Sequence, residues 1–179
     1  MNEYYIPANG KEQLAIPRTE LIQVTHSFAR RIRNILRREG INYTDSKSRT
    51  KSEQRMKDKI EARGGRSLAD IHGVLFVMSE GSFDPAYWLL RDEYPTPDLF
   101  PSGMDTLRDR RDPEVRRQWN SASFDDFRPM IFNLLIPNGG RIAEVQLMTP
   151  ETYRIGRQTR SSYVLIQNRL RAQKKNPAD

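Results

Sequence analysis

The residues best suited to chemistry are a run of cations followed by a carboxylate at the start of a predicted strand. Lys51, Arg55 and Lys59 recur every four residues, a spacing that places them on one face of an α-helix. Asp70 precedes the apolar run Val74–Met78, which has the composition of a short buried strand. Cations bind polyphosphate oxygens and a carboxylate binds Mg²⁺, so the pattern suits a metal–nucleotide site. The alternative is a solvated basic face beside a carboxylate that only begins a strand.

A second carboxylate lies inside a later predicted strand. Ile142–Thr149 alternates in polarity and carries Glu144 in its interior. Asp125–Ile136 is predicted as the neighbouring strand, with Pro137–Gly140 as the hairpin turn. If Glu144 and Asp70 meet on neighbouring strands, their repulsion favours a shared cation between them. The alternative places Glu144 on an edge strand, facing solvent.

Together these segments resemble the synthetase domain of the RelA/SpoT family of alarmone synthetases. That family has R-x-K with a basic residue eight positions after the lysine, then D-x-x-G-x-R, N-G-Y-x-S-L-H and E-[VI]-Q-[IL]-R-T on strands, and H-x-x-Y on a final helix. The corresponding segments here are Arg49-Thr-Lys51 with Lys59, Asp70-Ile-His-Gly73-Val-Leu75, Asp125-Asp126-Phe127-Arg-Pro-Met-Ile131, Glu144-Val-Gln146-Leu-Met148-Thr149 and Arg160-Ser-Ser-Tyr163. Their order and approximate spacing agree with the family from residue 49 to residue 163.

The chain departs from these motifs at five positions. Leu75 and Met148 replace arginines, and Ile131 replaces a histidine. Arg55 stands where the family has a serine, and Arg160 where it has the last histidine. The lost cations predict weaker phosphate binding or a different substrate on the acceptor side. Arg55 and Arg160 are candidates to supply the missing charge.

The resemblance implies a role for each matched residue. Asp70 and Glu144 would be the catalytic, Mg²⁺-binding carboxylates, with Asp70 as a metal ligand and Glu144 as the second ligand or the general base. The ATP-binding residues would be Arg49, Lys51, Arg55 and Lys59. The acceptor-binding residues would be Phe127, Gln146, Arg160 and Tyr163. Phe127 would stack on the acceptor base, and its alternative is a strand aromatic buried in the core.

The activity that the resemblance implies is an ATP-dependent pyrophosphokinase. It would move the β,γ-pyrophosphate of ATP to the ribose 3′-hydroxyl of a nucleotide, by family default a guanine nucleotide, and release AMP. One alternative is a related transferase, a toxin or a biosynthetic enzyme, that acts on an adenine nucleotide, an RNA end or another metabolite. Another is a catalytically inactive protein that binds nucleotides or RNA. Small members of the family often assemble, so a homo-oligomer is compatible with the resemblance.

The composition indicates a single domain without cysteine chemistry. Of the 179 residues, 36% are hydrophobic and 30% charged, enough for a core beneath exposed charged helices. The absence of cysteine excludes disulfides and thiolate zinc sites. The net charge of +7 and the pI near 9.9 favour anionic partners such as nucleotides and RNA.

Hydrophobic patterning predicts an α/β (α+β) fold with a small mixed β-sheet covered by helices. The resemblance implies that this fold is a nucleotidyltransferase-like synthetase domain. A helix is expected from Thr19 to Gly40, then a polar connector over Tyr43–Ser48, then the basic helix over residues 51–63. The remaining order is strand, helix, strand, strand, helix.

The predicted boundaries are an N-terminal arm at 1–17, a single synthetase-like domain at 18–173 and a disordered tail at 174–179. No apolar run approaches the roughly 20 residues that span a bilayer, and the N-terminus lacks the apolar segment of a signal peptide. These features predict a cytoplasmic protein, and an effector exported by a specialised system would share them.

Overall fold

The computed structural model describes residues 5–8, 11–14, 16–57, 71–94, 107–115, 128–137 and 141–159. Five of the predicted site residues lie outside these ranges: Lys59, Asp70, Phe127, Arg160 and Tyr163. Their assignments therefore stay predictions from the sequence.

A five-stranded mixed sheet forms the centre of the structure. Its strands are β3 (Asp45–Thr50), β4 (His72–Val77), β5 (Arg108–Asp109), β6 (Met130–Ile136) and β7 (Arg141–Met148), in the order β3-β4-β7-β6-β5. β4 and β7 are parallel, and the other neighbours are antiparallel. In the N-terminal arm, β1 (Tyr5–Ala8) and β2 (Lys11–Leu14) form a separate antiparallel pair. The mixed sheet confirms the predicted fold class.

Two helices lie against the central sheet. α1 (Arg18–Arg38) turns its apolar stripe to the core and ends before Gly40, whose φ of 70° suits a glycine after a helix. α2 (Phe83–Glu93) follows a short 3-10 turn at Glu80–Ser82. Residues 53–57, 113–115 and 150–159 are also helical. None of the helices in the described ranges is long and apolar enough to cross a membrane.

The core lies between these helices and one face of the sheet. Alternate residues of the central strands contribute to it, which is the periodicity of a sheet buried on that face. Phe76 and Phe132 are fully buried there, and Phe132 meets Tyr87 of α2 edge-to-face, with ring centroids 5.1 Å apart. Phe28 of α1 meets Tyr94 in the same way at 5.1 Å.

The polar connector predicted over Tyr43–Ser48 is wrong, because Asp45–Thr50 forms β3. Its alternating residues are polar on both faces, so an apolar pattern could not reveal the strand. Ser46 accepts a hydrogen bond from Arg33 of α1 at 2.8 Å, whereas Lys47 projects to the opposite, exposed side.

The prediction that the basic helix begins at Lys51 is also wrong. The Lys51 N–H donates to the carbonyl of Ile71 at 2.9 Å, which keeps the chain extended through this residue. The described helical turn begins at residue 53, so Lys51 precedes it and does not share a helix face with Arg55. Arg55 lies within the turn and is exposed.

A buried hydrogen-bond network joins α1 to the ends of β3 and β4. The Thr25 hydroxyl donates to the carbonyl of Leu21 at 2.8 Å, the back-bond typical of threonine in a helix. Its oxygen lies 2.8 Å from the Thr50 hydroxyl and 2.7 Å from His72 Nδ1. Since the hydroxyl has one proton, already donated, His72 must donate from Nδ1. Its Nε2 is buried without a partner among the described residues.

His72 makes the free energy of unfolding depend on pH. Burial, aided by the nearby Arg141 guanidinium, lowers the pKa of His72 to about 4. The folded-state pKa lies below the unfolded value, so the full stability is present above about pH 6.5 and is lost as the pH falls toward 4. At pH 4 the loss reaches about 3 kcal/mol. Urea titrations between pH 7.5 and 4.5 measure this slope.

His72→Asn is the matched variant for that titration, because the asparagine amide can still donate to Thr25 but does not titrate. We expect a clearly flatter pH dependence in this variant. Equal slopes in the two proteins would contradict the assignment to His72.

Candidate active site

The face of the sheet opposite α1 and α2 carries a row of three polar residues and one glycine across four strands. Strand register places Arg49 opposite Gly73, Gly73 opposite Glu144, and Glu144 opposite Asn133. Directly paired residues project on the same face of a sheet, so all four belong to one row. The row includes the carboxylate and a cation that the sequence pattern singled out.

Gly73 lets Arg49 reach across the sheet. A Cβ atom at position 73 would lie 3.1 Å from both Cγ and Nε of Arg49, which is tighter than ordinary contact. The glycine therefore gives the arginine side chain room to extend over β4 toward β7. Arg49 Nη2 lies 3.7 Å from Glu144 Oε1 as a result.

Glu144 is a buried carboxylate with several partners. The residue is 8% exposed and lies on β7, between β4 and β6. Arg108 Nη2 donates to its Oε2 at 2.9 Å, and Gln146 Nε2 donates to its Oε1 at 2.7 Å. The alternative that placed Glu144 on an edge strand facing solvent is wrong.

The charges of this group are unbalanced toward the positive. Arg49 and Arg108 approach the carboxylate of Glu144. Lys47 lies two residues from Arg49 on the same face of β3, and its partner Asp45 at 3.8 Å is the second carboxylate, so three cations face two carboxylates. Guanidinium groups bind phosphate oxygens with paired, charge-assisted hydrogen bonds. The described part of the site is thus suited to an anion with several phosphates, such as a nucleotide.

Arg108 is a site residue that the sequence pattern did not indicate. It belongs to a two-residue strand, paired with Ile131 of β6, inside a stretch with several other arginines. No spacing distinguishes it from Arg110 or Arg111 before β5 and β6 are paired. Arg111 instead binds Asp109 at 2.6 Å and Asp84 of α2 at 2.8 Å, which fastens β5 to α2.

The three apolar departures from the family motifs lie around Gln146. Leu75 and Ile131 are its direct neighbours on β4 and β6. Met148 follows two residues later on the same face of β7. The substitutions therefore fall in one place, and the amide of Gln146 has apolar neighbours at positions where the motifs have two arginines and a histidine.

The C-terminal helical residues contact the same face of the sheet at β3. Lys47 Nζ hydrogen-bonds to the Tyr153 hydroxyl and lies 5.1 Å from the centre of its ring. Tyr153, Arg154, Arg157 and Gln158 line an open surface cavity on this helix. The predicted residues Arg160 and Tyr163 follow it in sequence, outside the described ranges.

The donor set fits a magnesium ion only in part. No cluster of three or more His, Asp or Glu side chains that could hold a metal occurs within the described ranges. Mg²⁺ is nevertheless usually bound by one or two carboxylates together with substrate phosphates and water. Glu144 can supply one such carboxylate, and Asp70 is predicted to supply the other.

Comparison with solved structures shows that this fold is similar to that of known alarmone synthetases and related proteins. The structure is similar to small alarmone synthetase 2 from Bacillus subtilis, with a TM-score of 0.54, 17% identity and coverage of 84% of this chain and 82% of that chain. It is also similar to a GTP pyrophosphokinase family protein from Streptococcus pneumoniae, with a TM-score of 0.51 and 18% identity. That match covers 83% of this chain and 75% of that chain.

The sequence alone gives no corresponding match. No protein-family model matches it, and the search of curated proteins found no match. The fold that the motifs indicated is therefore confirmed by structure, since it is similar to that of a small alarmone synthetase and of a GTP pyrophosphokinase family protein.

Proposed function

We propose that the protein is an ATP-dependent pyrophosphokinase that transfers the β,γ-pyrophosphate of ATP to the ribose 3′-hydroxyl of a nucleotide and releases AMP. The observation that carries the proposal is the row Arg49–Gly73–Glu144, completed by Arg108, on the sheet face opposite α1 and α2 in a fold similar to that of alarmone synthetases. It combines one buried carboxylate with two cations, as phosphoryl-group transfer requires.

Each residue has a distinct task in this proposal. Arg49 and Arg108 hold phosphate oxygens and neutralise the charge that develops during transfer. Glu144, already an acceptor of two hydrogen bonds, either helps to bind Mg²⁺ or accepts the proton of the attacking hydroxyl. When bound, Mg²⁺ supplies charge neutralisation at the transferring phosphates. Asp70, Lys51, Arg55 and Lys59 keep the metal- and ATP-binding roles that the resemblance implies.

A different acceptor is the second candidate, favoured by the surroundings of Gln146. Leu75, Ile131 and Met148 place apolar side chains next to Gln146, and the cations of the same row, Lys47 and Arg108, lie beyond Leu75 and Ile131 on the outer strands. An acceptor with few phosphates of its own, such as a nucleoside monophosphate or the terminal nucleotide of an RNA, suits such surroundings better than a nucleoside triphosphate. Phe127 remains the predicted platform for its base.

AMP release from ATP and Mg²⁺ tests both candidates. The acceptor panel contains GMP, GDP, GTP, the adenine equivalents and bulk tRNA, and mass spectrometry identifies each product. AMP that appears only with an acceptor, and a product heavier by a pyrophosphate, would establish the transferase. Folded protein that binds ATP but releases no AMP with any acceptor would favour the inactive binding protein.

Gly73→Ala is expected to weaken ATP binding while leaving the fold intact. The new Cβ would press on the flexible side chain of Arg49, which is exposed and can swing away from the row. Loss of one charge-assisted contact should raise the Kd for ATP about tenfold. Isothermal titration calorimetry measures the change.

Gly81→Ala is the matched control for Gly73→Ala. A Cβ at Gly81 meets no atom within 4 Å, so this variant should bind ATP like the parent protein. Equal ATP affinity in the parent and Gly73→Ala would show that Arg49 does not need its position over β4.

A further inference from the structure

We infer that Arg108 controls how a divalent metal ion binds to Glu144. Its charge prevents the free ion from binding there, whereas a metal ion already bound to a polyphosphate can bind, because the phosphates take over the contact with Arg108. The inference rests on the proposed function, since it takes Glu144 as a metal ligand. It adds a specificity role for Arg108, a residue that no motif indicated.

The carboxylate of Glu144 is occupied before any ligand binds. Arg108 Nη2 is 2.9 Å from Oε2, and Gln146 Nε2 donates a hydrogen bond to Oε1 at 2.7 Å. Only 11% of the Glu144 side chain is exposed. A hydrated metal ion therefore has little access to either oxygen. Binding requires that at least one of these partners moves away.

Charge makes Arg108 the decisive partner. A metal at about 2.1 Å from Oε2 would sit beside the Arg108 guanidinium, and like charges repel strongly in a site withdrawn from water. Gln146 is neutral and imposes no such penalty. Arg49 is more distant from Glu144, at 3.7 Å, and its side chain is 51% exposed, so solvent screens it more.

A polyphosphate reverses this balance. Its negative charges compensate the approaching metal, and its oxygens offer Arg108 a bidentate partner in place of the carboxylate. The arginine would then bind phosphate, which would leave Oε2 of Glu144 available to the metal while Gln146 still donates to Oε1. Metal and nucleotide would thus bind cooperatively, with coupling in the usual range of roughly 5- to 150-fold.

The position of Arg108 is fixed well enough for this selection. Pairing with Ile131 holds its backbone in β5. The next residue, Asp109, binds Arg111, which also reaches Asp84 of α2. These contacts anchor the strand, so that only the Arg108 side chain has to exchange partners.

Titration with Mn²⁺ alone, followed by the electron paramagnetic resonance of the free ion, tests the inference without any nucleotide. Arg108→Gln keeps a side-chain amide that can donate to Glu144 but removes the charge. We expect it to bind Mn²⁺ about tenfold more tightly than the parent protein. The same variant should bind ATP without metal more weakly, so that the two affinities change in opposite directions.

Three further variants serve as controls. Arg141→Gln removes the same charge from β7 at a residue paired with Glu20, and should leave Mn²⁺ affinity unchanged. Arg108→Lys keeps the charge and should bind free Mn²⁺ as weakly as the parent does, although it loses the bidentate contact with phosphate. Adding Glu144→Gln to Arg108→Gln should abolish the gain in Mn²⁺ affinity, which would locate the metal at this carboxylate.

Unchanged Mn²⁺ affinity in Arg108→Gln would overturn the inference, as would an equal gain in Arg141→Gln, which would indicate net charge alone. Thermal melts establish that each variant is folded, and Arg108→Met replaces Arg108→Gln if that variant unfolds. Failure of the pyrophosphokinase proposal has a separate signature, namely no AMP from the parent protein with any acceptor.

Discussion

Glu144→Gln should reduce acceptor-dependent AMP release at least about a hundredfold, as expected when a general base or a metal-binding carboxylate is lost. Glutamine keeps the shape and can still accept a hydrogen bond from Arg108 through its amide oxygen. Nucleotide binding should therefore persist, because the arginines remain and one negative charge has gone. Initial rates of AMP release and the Kd for ATP, measured on the same preparation, separate these effects.

Glu151→Gln is the control for this variant, since it makes the same change at an exposed glutamate on the C-terminal helical residues. We expect it to retain the parent rate. If Glu144→Gln kept more than about a tenth of the parent activity, Glu144 would have no direct part in the transfer.

Phe132→Ala should lower the free energy of unfolding by about 3–5 kcal/mol, the usual cost of emptying a fully buried aromatic site. Phe132 is in the middle of β6, has no solvent exposure and packs edge-to-face on Tyr87. Its removal leaves a cavity between the sheet and α2. Urea denaturation followed by circular dichroism measures the loss.

Leu135→Ala offers a comparison within the same strand. Leu135 is half-buried on the opposite face, so its truncation should cost clearly less than that of Phe132. A Phe132→Ala variant within about 1 kcal/mol of the parent would mean that the core can close around the missing ring.

The sequence was most informative where one face of an element is apolar. The stripe of α1, the run at Val74 and the alternation around Glu144 each predicted an element that the structure contains. The burial of Glu144 could not be predicted, because it depends on β7 lying between two other strands. Strand order is a tertiary property that a local pattern does not encode.

β3 and Arg108 are the two features of the candidate site that the sequence pattern did not predict. β3 is polar on both faces, since α1 covers one face through hydrogen bonds and the other belongs to the candidate site. A strand of that kind looks like a connector in any apolar pattern. Arg108 gains its importance only because the pairing of β5 with β6 brings it within 2.9 Å of the Glu144 carboxylate on β7.

The parallel pairing of β4 with β7 has a consequence for folding. Arg49 and Gly73 come from the β3–β4 pair, whereas Glu144 and Asn133 come from the β6–β7 pair. His72 lies opposite Ala143, so the two pairs join through a contact between distant parts of the chain, and such contacts are slow to form. Either pair can form without creating the site. Recovery of nucleotide binding during refolding should therefore follow the last, rate-limiting step, and a fragment that contains only one pair should have no activity to recover.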